Sequence, residues 1–176
     1  MRRTIVLLAT MALTLLVASG VALAVTRVGT DGSDTLRGTN GSDTLIGRGG
    51  SDTLLAFGGF DTLAGGTGND DMFGGSLQRP LGGSKVMSGG PGDDLLLGGL
   101  GVDTLEGQEG ADVLVDGPPR EFSKDTLSGG TGNDTFDVAN RPAARDIVSC
   151  GPGFDVVETS DSKDIVGGDC EKVKWF

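Results

Sequence analysis

A nine-residue ruler runs along this chain and leaves few folds open to it. Ser33-Asp34-Thr35-Leu36 returns as Ser42-Asp43-Thr44-Leu45 and Ser51-Asp52-Thr53-Leu54, then as Phe60-Asp61-Thr62-Leu63 and Asn69-Asp70-Asp71-Met72. A six-residue insertion near Ser76 to Arg79 interrupts it. It resumes with Lys85 in the acidic slot, followed by Asp94, Asp103 and Asp112. A four-residue insertion around Pro118-Pro119 precedes Asp125 and Asp134, and a three-residue one near Asn140 precedes Asp146, Asp155 and Asp164. Fourteen frames result, from Gly29 to Gly167. The acidic slot is Asp in thirteen, the residue two places later is apolar in all fourteen, and the residue two places earlier is Gly in eleven. Three registers held over this length mark a repeat architecture.

Each slot has a physical task. The glycines before the Asp reach positive φ without a Cβ clash and let backbone carbonyls turn toward one point. The three residues from Asp onward, as in Asp-Thr-Leu, alternate polar and apolar like a short half-buried strand. A frame therefore reads as a turn and a strand, and two frames make one coil of a flat solenoid. Frames n and n+2 then stack on the same edge. The expectation is an all-β fold, a parallel β-roll or β-solenoid, with seven coils spanning about 34 Å at the usual strand spacing.

Residues before the first frame read as an export signal. Arg2 and Arg3 form a positive n-region, Ile5 to Val17 an apolar stretch, and Ala22-Leu23-Ala24 a small-residue cleavage signature. The expected organisation is a signal peptide over 1–24, the repeat roll over 25–149 and its C-terminal end, with a disulfide and a cap, over 150–176. An uncleaved membrane tether is the alternative; in both cases the repeats are exported, and cleavage leaves no stable membrane insertion. Cys150 and Cys170, the two cysteines, sit in frames two apart if the ruler continues past Gly167, so an oxidising compartment permits a disulfide there; two free thiols are the alternative. Trp175 and Phe176 are placed to cap the end of the roll, or to form a frayed apolar tail.

The net charge of −11 argues against nucleic acid and points to cations. One apolar side chain per nine residues makes a thin core, and stacked Asp columns repel one another. A divalent cation neutralises the carboxylates and adds its binding free energy to folding. With no His in the chain and only two Cys, the donors are carboxylate and carbonyl oxygens, which suit hard ions. Flexible Gly-rich turns offering several oxygens suit Ca²⁺ better than octahedral Mg²⁺.

Gly65-Gly66-Thr67-Gly68-Asn69-Asp70, Gly89-Gly90-Pro91-Gly92-Asp93-Asp94, Gly98-Gly99-Leu100-Gly101-Val102-Asp103 and Gly129-Gly130-Thr131-Gly132-Asn133-Asp134 fit G-G-x-G-x-D in full. In these the chain resembles the RTX, or haemolysin-type, calcium-binding repeat family, over nearly all of residues 25–176. The resemblance implies several Ca²⁺ ions held between turns n and n+2 by Asp carboxylates and backbone carbonyls. By position it implies Asp34, Asp43, Asp52, Asp61, Asp70, Asp94, Asp103, Asp112 and Asp134 as metal ligands. Lys85 cannot ligate a cation, so its turn is expected to hold none, with the ammonium as a substitute charge. The frames of Asp125, Asp146 and Asp164 lack the key Gly and read as structural turns.

Three functions follow from these features. The leading one is a secreted, non-catalytic calcium-binding module that folds on reaching calcium, with cell-envelope or extracellular matrix components as partners and no nucleic acid. The second is a surface-recognition solenoid for ice or glycan, using the outward Thr35, Thr44, Thr53, Thr62, Thr104, Thr126 and Thr135. The third, an enzyme acting on polysaccharide, suffers from the absence of His and Tyr and of any catalytic domain outside the repeats.

Overall fold

The computed structural model describes residues 23–75, 82–118, 122–139, 145–159 and 162–175. The export signal therefore lies outside the described residues up to position 22, as does the capping residue Phe176. The first eight strands are β1 (Thr26–Val28), β2 (Thr35–Arg37), β3 (Thr44–Gly49), β4 (Thr53–Leu55), β5 (Asp61–Thr67), β6 (Asp71–Phe73), β7 (Lys85–Pro91) and β8 (Leu95–Leu97). The rest are β9 (Thr104–Glu109), β10 (Val113–Val115), β11 (Thr126–Thr131), β12 (Thr135–Val138), β13 (Ile147–Ser149), β14 (Val156–Thr159), β15 (Ile165–Val166) and β16 (Lys172–Trp175). Among the described residues no helix is long and apolar enough to cross a membrane.

Odd-numbered strands make one eight-stranded sheet and even-numbered strands the other, every pairing parallel. The chain thus crosses from sheet to sheet at every turn, and frames n and n+2 are neighbours, which is the expected β-roll. In register, Leu45 faces Leu63, Leu63 faces Met87, and Met87 faces Leu105. On the second sheet Leu54, Met72, Leu96, Leu114 and Phe136 do the same. These apolar residues are buried and form the core. One buried column from each sheet suffices to fill a roll this flat, which is why one apolar position per frame is enough.

The ruler undercounts the strands. Each sheet has eight, because β1 precedes the first frame and β16 follows the last. Arg27 occupies the apolar slot of β1, opposite Leu45, and β16 begins only seven residues beyond β15. In β16 Trp175 pairs with Thr159 and keeps its ring largely exposed.

The turns explain the glycines. Gly66, Gly90 and Gly130, second in their frames, and Gly68, Gly92 and Gly132, fourth in theirs, all have positive φ. The conformation belongs to the position and not to glycine alone: Arg48, Phe57 and Gln108 stand second in their frames and adopt φ of 91°, 73° and 89°. A non-glycine residue there costs on the order of 1 kcal/mol or more, which stacking of the neighbouring coils must outweigh.

The two edges of the roll differ. The first edge carries Asp34, Asp52, Asp70, Asp94, Asp112, Asp134 and Asp155; the second carries Asp43, Asp61, Lys85, Asp103, Asp125, Asp146 and Asp164. All three sequence insertions fall on the second edge. On both, wherever the next slot of the column holds an Asp, the N–H of the slot residue donates to its Oδ1, at 2.7–2.9 Å on the first and 2.7–3.1 Å on the second, whether the step is 18, 21, 22 or, on the first, 24 residues.

Candidate metal centres

Burial alternates through the frame, so that the acidic residue, the apolar residue and the first glycine all face inward. The Asp carboxylates therefore lie inside the roll at its edges; Asp52, Asp70, Asp94, Asp112, Asp134 and Asp155 are at most 2% exposed. Their Oδ1 atoms accept the ladder hydrogen bonds from the preceding coil. Their Oδ2 atoms are buried and carry no hydrogen bond. A buried carboxylate oxygen without a donor is costly, and six in one column require a common explanation.

The space around those oxygens is kept open by glycine. A Cβ on Gly47, Gly65, Gly89, Gly107 or Gly129 would fall 2.2 Å from Oδ2 of the Asp five residues on. It would also meet the carbonyl of the equivalent residue in the next coil, 2.4 Å away for Gly47 and 2.6 Å for Gly107. Second and fourth carbonyls crowd the same gap: Gly66 O lies 1.9 Å from where a Gly90 Cβ would stand, and Gly68 O 2.1 Å from that of Gly92. Between-coil hydrogen bonds use the third carbonyls instead, as in Gly68 N–H to Pro91 O and Gly92 N–H to Glu109 O. Each gap on the first edge is thus faced by anionic and carbonyl oxygens, the donor set of a hard cation.

Crowding shows in the acidities. Burial pushes the Asp94 carboxyl up to about 7 and that of Asp112 to about 6, with neighbouring carboxylates adding to the effect and the ladder hydrogen bond opposing it. Burial raises Asp70 and Asp134 as well. In the absence of a counter-charge Asp94 and Asp112 hold their protons well above the usual carboxylate range.

Of the other sequence-derived candidates, Asp103 repeats the first-edge arrangement on the second edge, its buried Oδ2 lying 2.5 Å from where a Gly98 Cβ would stand, and three are placed differently. Asp34 is half-buried, and Oδ2 accepts from Thr30 N–H at 2.6 Å and Thr30 Oγ1 at 2.9 Å, which hold its carboxyl below the usual range. Asp43 Oδ2 likewise accepts from Thr39 N–H, at 2.5 Å. A Thr in the second slot closes these two turns on themselves. Asp61 Oδ2 lies 2.8 Å from Lys85 Nζ. Asp103 is buried on the second edge, where Oδ1 accepts from Lys85 N–H at 2.7 Å.

Three residues escaped the sequence reading. Asp155 completes the first-edge column; Gly151-Pro152-Gly153-Phe154-Asp155 has the right form, but Cys150 takes the place of the leading Gly and hides it. Glu171 ends that column, accepting the Asp155 N–H at 2.8 Å. Asp116 stands on the second edge where sibling turns have Gly98, Gly107 or Gly129, and that departure was its signal. One carboxylate oxygen each from Asp116, Asp125 and Asp146 lies within 4.8 Å of the others, and all three residues are buried. Burial pushes Asp116 up to about 8; the Gly117 N–H at 2.6 Å opposes this, and Asp146, Asp125 and Asp137 add to it. Such a trio takes up protons or a cation, since three like charges at that range repel strongly.

Cys150 and Cys170 form a disulfide between neighbouring coils. The Thr columns are broken: Val86 separates Thr62 from Thr104 on one sheet, and Asp71, Leu95 and Val113 separate Thr53 from Thr135 on the other.

A family model for the RTX calcium-binding nonapeptide repeat matches in four copies, over residues 28–56, 58–76, 86–115 and 123–138. No curated protein and no solved structure matches the chain. The matched residues include Asp52, Asp70, Asp94, Asp112 and Asp134, five of the six buried first-edge carboxylates, and the chain belongs to the RTX calcium-binding nonapeptide repeat family.

Proposed function

We propose that this chain is a secreted, non-catalytic protein that binds several calcium ions along the first edge of its roll and gains most of its order when it meets them. The observation that carries this reading is the column of six buried Oδ2 atoms with no hydrogen bond, five of them beside a glycine that leaves room for a ligand and the sixth, that of Asp155, in the turn led by Cys150. Asp52, Asp70, Asp94, Asp112, Asp134 and Asp155 would hold the ions, with carbonyls of the second and fourth turn residues completing the oxygen set. Bound calcium neutralises carboxylates that otherwise repel or protonate, so its binding free energy becomes folding free energy. Asp34 and Asp43 remain ligand candidates at the start of the roll, where Thr30 and Thr39 must yield a hydrogen bond for a metal to enter.

Export is supported by the N-terminal signal pattern and by the disulfide, which persists in an oxidising compartment. Cell-envelope or matrix components are the partners such a rod would meet. The decisive experiment is a far-UV CD titration of EDTA-stripped protein with CaCl₂, with MgCl₂ as control. A rise in β signal with calcium and not with magnesium supports the proposal. A spectrum already fully β in EDTA and unmoved by calcium refutes it. Mass spectrometry of the exported protein, expected to begin at Val25, tests cleavage.

A further inference from the structure

Among the acidic slots of the described turns Lys85 is the exception, and its side chain is as deeply buried as the carboxylates it replaces, at 1% exposure. Its Nζ lies 2.8 Å from Asp61 Oδ2, both side chains fully enclosed, and donates to the Gly59 carbonyl at 2.7 Å. Those two acceptors are the counterparts, on the second edge, of the atoms that face the first-edge gaps. Asp61 Oδ2 corresponds to the bare oxygens of Asp52 and Asp70. Gly59 O corresponds to Gly68 O: it lies 2.1 Å from where a Gly83 Cβ would stand, so it too faces the next coil. The ammonium therefore sits on a carboxylate oxygen and a fourth-residue carbonyl, in the gap between the turns of Asp61 and Lys85.

We propose that Lys85 is a resident cation that takes the place of a calcium ion in this gap, closing it to metal while keeping the two coils bridged when calcium is absent. The inference rests on the calcium reading of the sibling gaps. A divalent ion beside Nζ would place two cations on one carboxylate, which their repulsion forbids. The same exchange removes one carboxylate from the column, so the second edge is less anionic at its middle than the first. The tether is covalently part of the chain and is therefore present at any calcium concentration.

The test compares the full protein with Lys85→Asp and Lys85→Met. Calcium per chain is counted by equilibrium dialysis, and amide exchange in EDTA is followed at Thr62–Ala64 and Val86–Ser88. The inference expects Lys85→Asp to bind at least one more calcium than the unaltered chain. It expects Lys85→Met, which keeps the bulk and removes the charge, to exchange at least tenfold faster at those amides in EDTA, with Thr126–Ser128 unchanged. An unchanged ion count in Lys85→Asp overturns the claim that the ammonium excludes a metal. Unchanged exchange in Lys85→Met overturns the claim that it bridges the coils. Should the unaltered chain bind no calcium, the calcium reading fails, and the exchange in EDTA still decides whether Lys85 is a bridge.

Discussion

Calcium-free protein should lose stability as pH rises from about 4 to 8, the reverse of ordinary acid denaturation. Asp94, Asp112 and Asp116 have carboxyls raised to about 7, 6 and 8 in the folded chain, from 3.8. A group raised in this way binds a proton when folded that the unfolded chain has already released. Its contribution is complete below the unfolded value and disappears as pH climbs through the folded one. At pH 7 Asp116 alone holds about 0.9 proton folded and almost none unfolded, a slope near −1.2 kcal/mol per pH unit. Asp94 and Asp112, although covered, lie at the edge of the roll with water close behind the turn, so their share is discounted, and the three together give about 1 to 2 kcal/mol per unit at pH 7. Half-buried Asp34 and exposed Asp169, both pulled down by hydrogen bonds, act in the opposite sense only in more acid solution. Urea unfolding in EDTA at pH 5, 6, 7 and 8, followed by far-UV CD with the disulfide intact, measures the slope. Saturating calcium should invert it, because the metal needs deprotonated carboxylates. A midpoint in EDTA that is flat or rises over this range would refute the reasoning.

Two further outcomes are expected. Gly132→Ala places a Cβ 1.6 Å from the Gly110 carbonyl at a φ of 142°, so it should cost about 3 kcal/mol or more in urea unfolding with calcium, while Gly168→Ala, where nothing lies within 4 Å, should cost almost nothing. Replacing Cys150 and Cys170 by Ser opens a loop of sequence separation 20 and should lower stability by roughly 3 kcal/mol in the chain-entropy model, read as a lowered Tm with calcium present.

Most of the fold was legible because its two determinants, an apolar side chain and an Asp per frame, recur at a fixed spacing. The terminal strands were not, because β1 has Arg27 in the apolar slot and β16 starts two residues early after Glu171. Among the site residues, position alone identified Asp52, Asp70, Asp94, Asp112 and Asp134 as one family of side chains. Position could not show that Thr30 and Thr39 occupy the Asp34 and Asp43 oxygens, since that depends on a hydrogen bond within the turn. Nor could it place Asp116 beside Asp125 and Asp146, because their sequence separations span two insertions and only the stacking of coils closes the distance.

The confinement of all three insertions to one edge has a consequence for how such a chain can change. Along the first edge, distance is counted in hydrogen bonds from one Asp to the next and not in residues, and that count is the same whether 18 or 24 residues intervene. Added length on the opposite side is therefore invisible to it. The second edge keeps the same count, since Asp103 N–H still reaches Asp125 Oδ1 across 22 residues and Asp125 N–H reaches Asp146 Oδ1 across 21: both margins are ruled by bonds, and new peptide can be written into the connections between them without rewriting either.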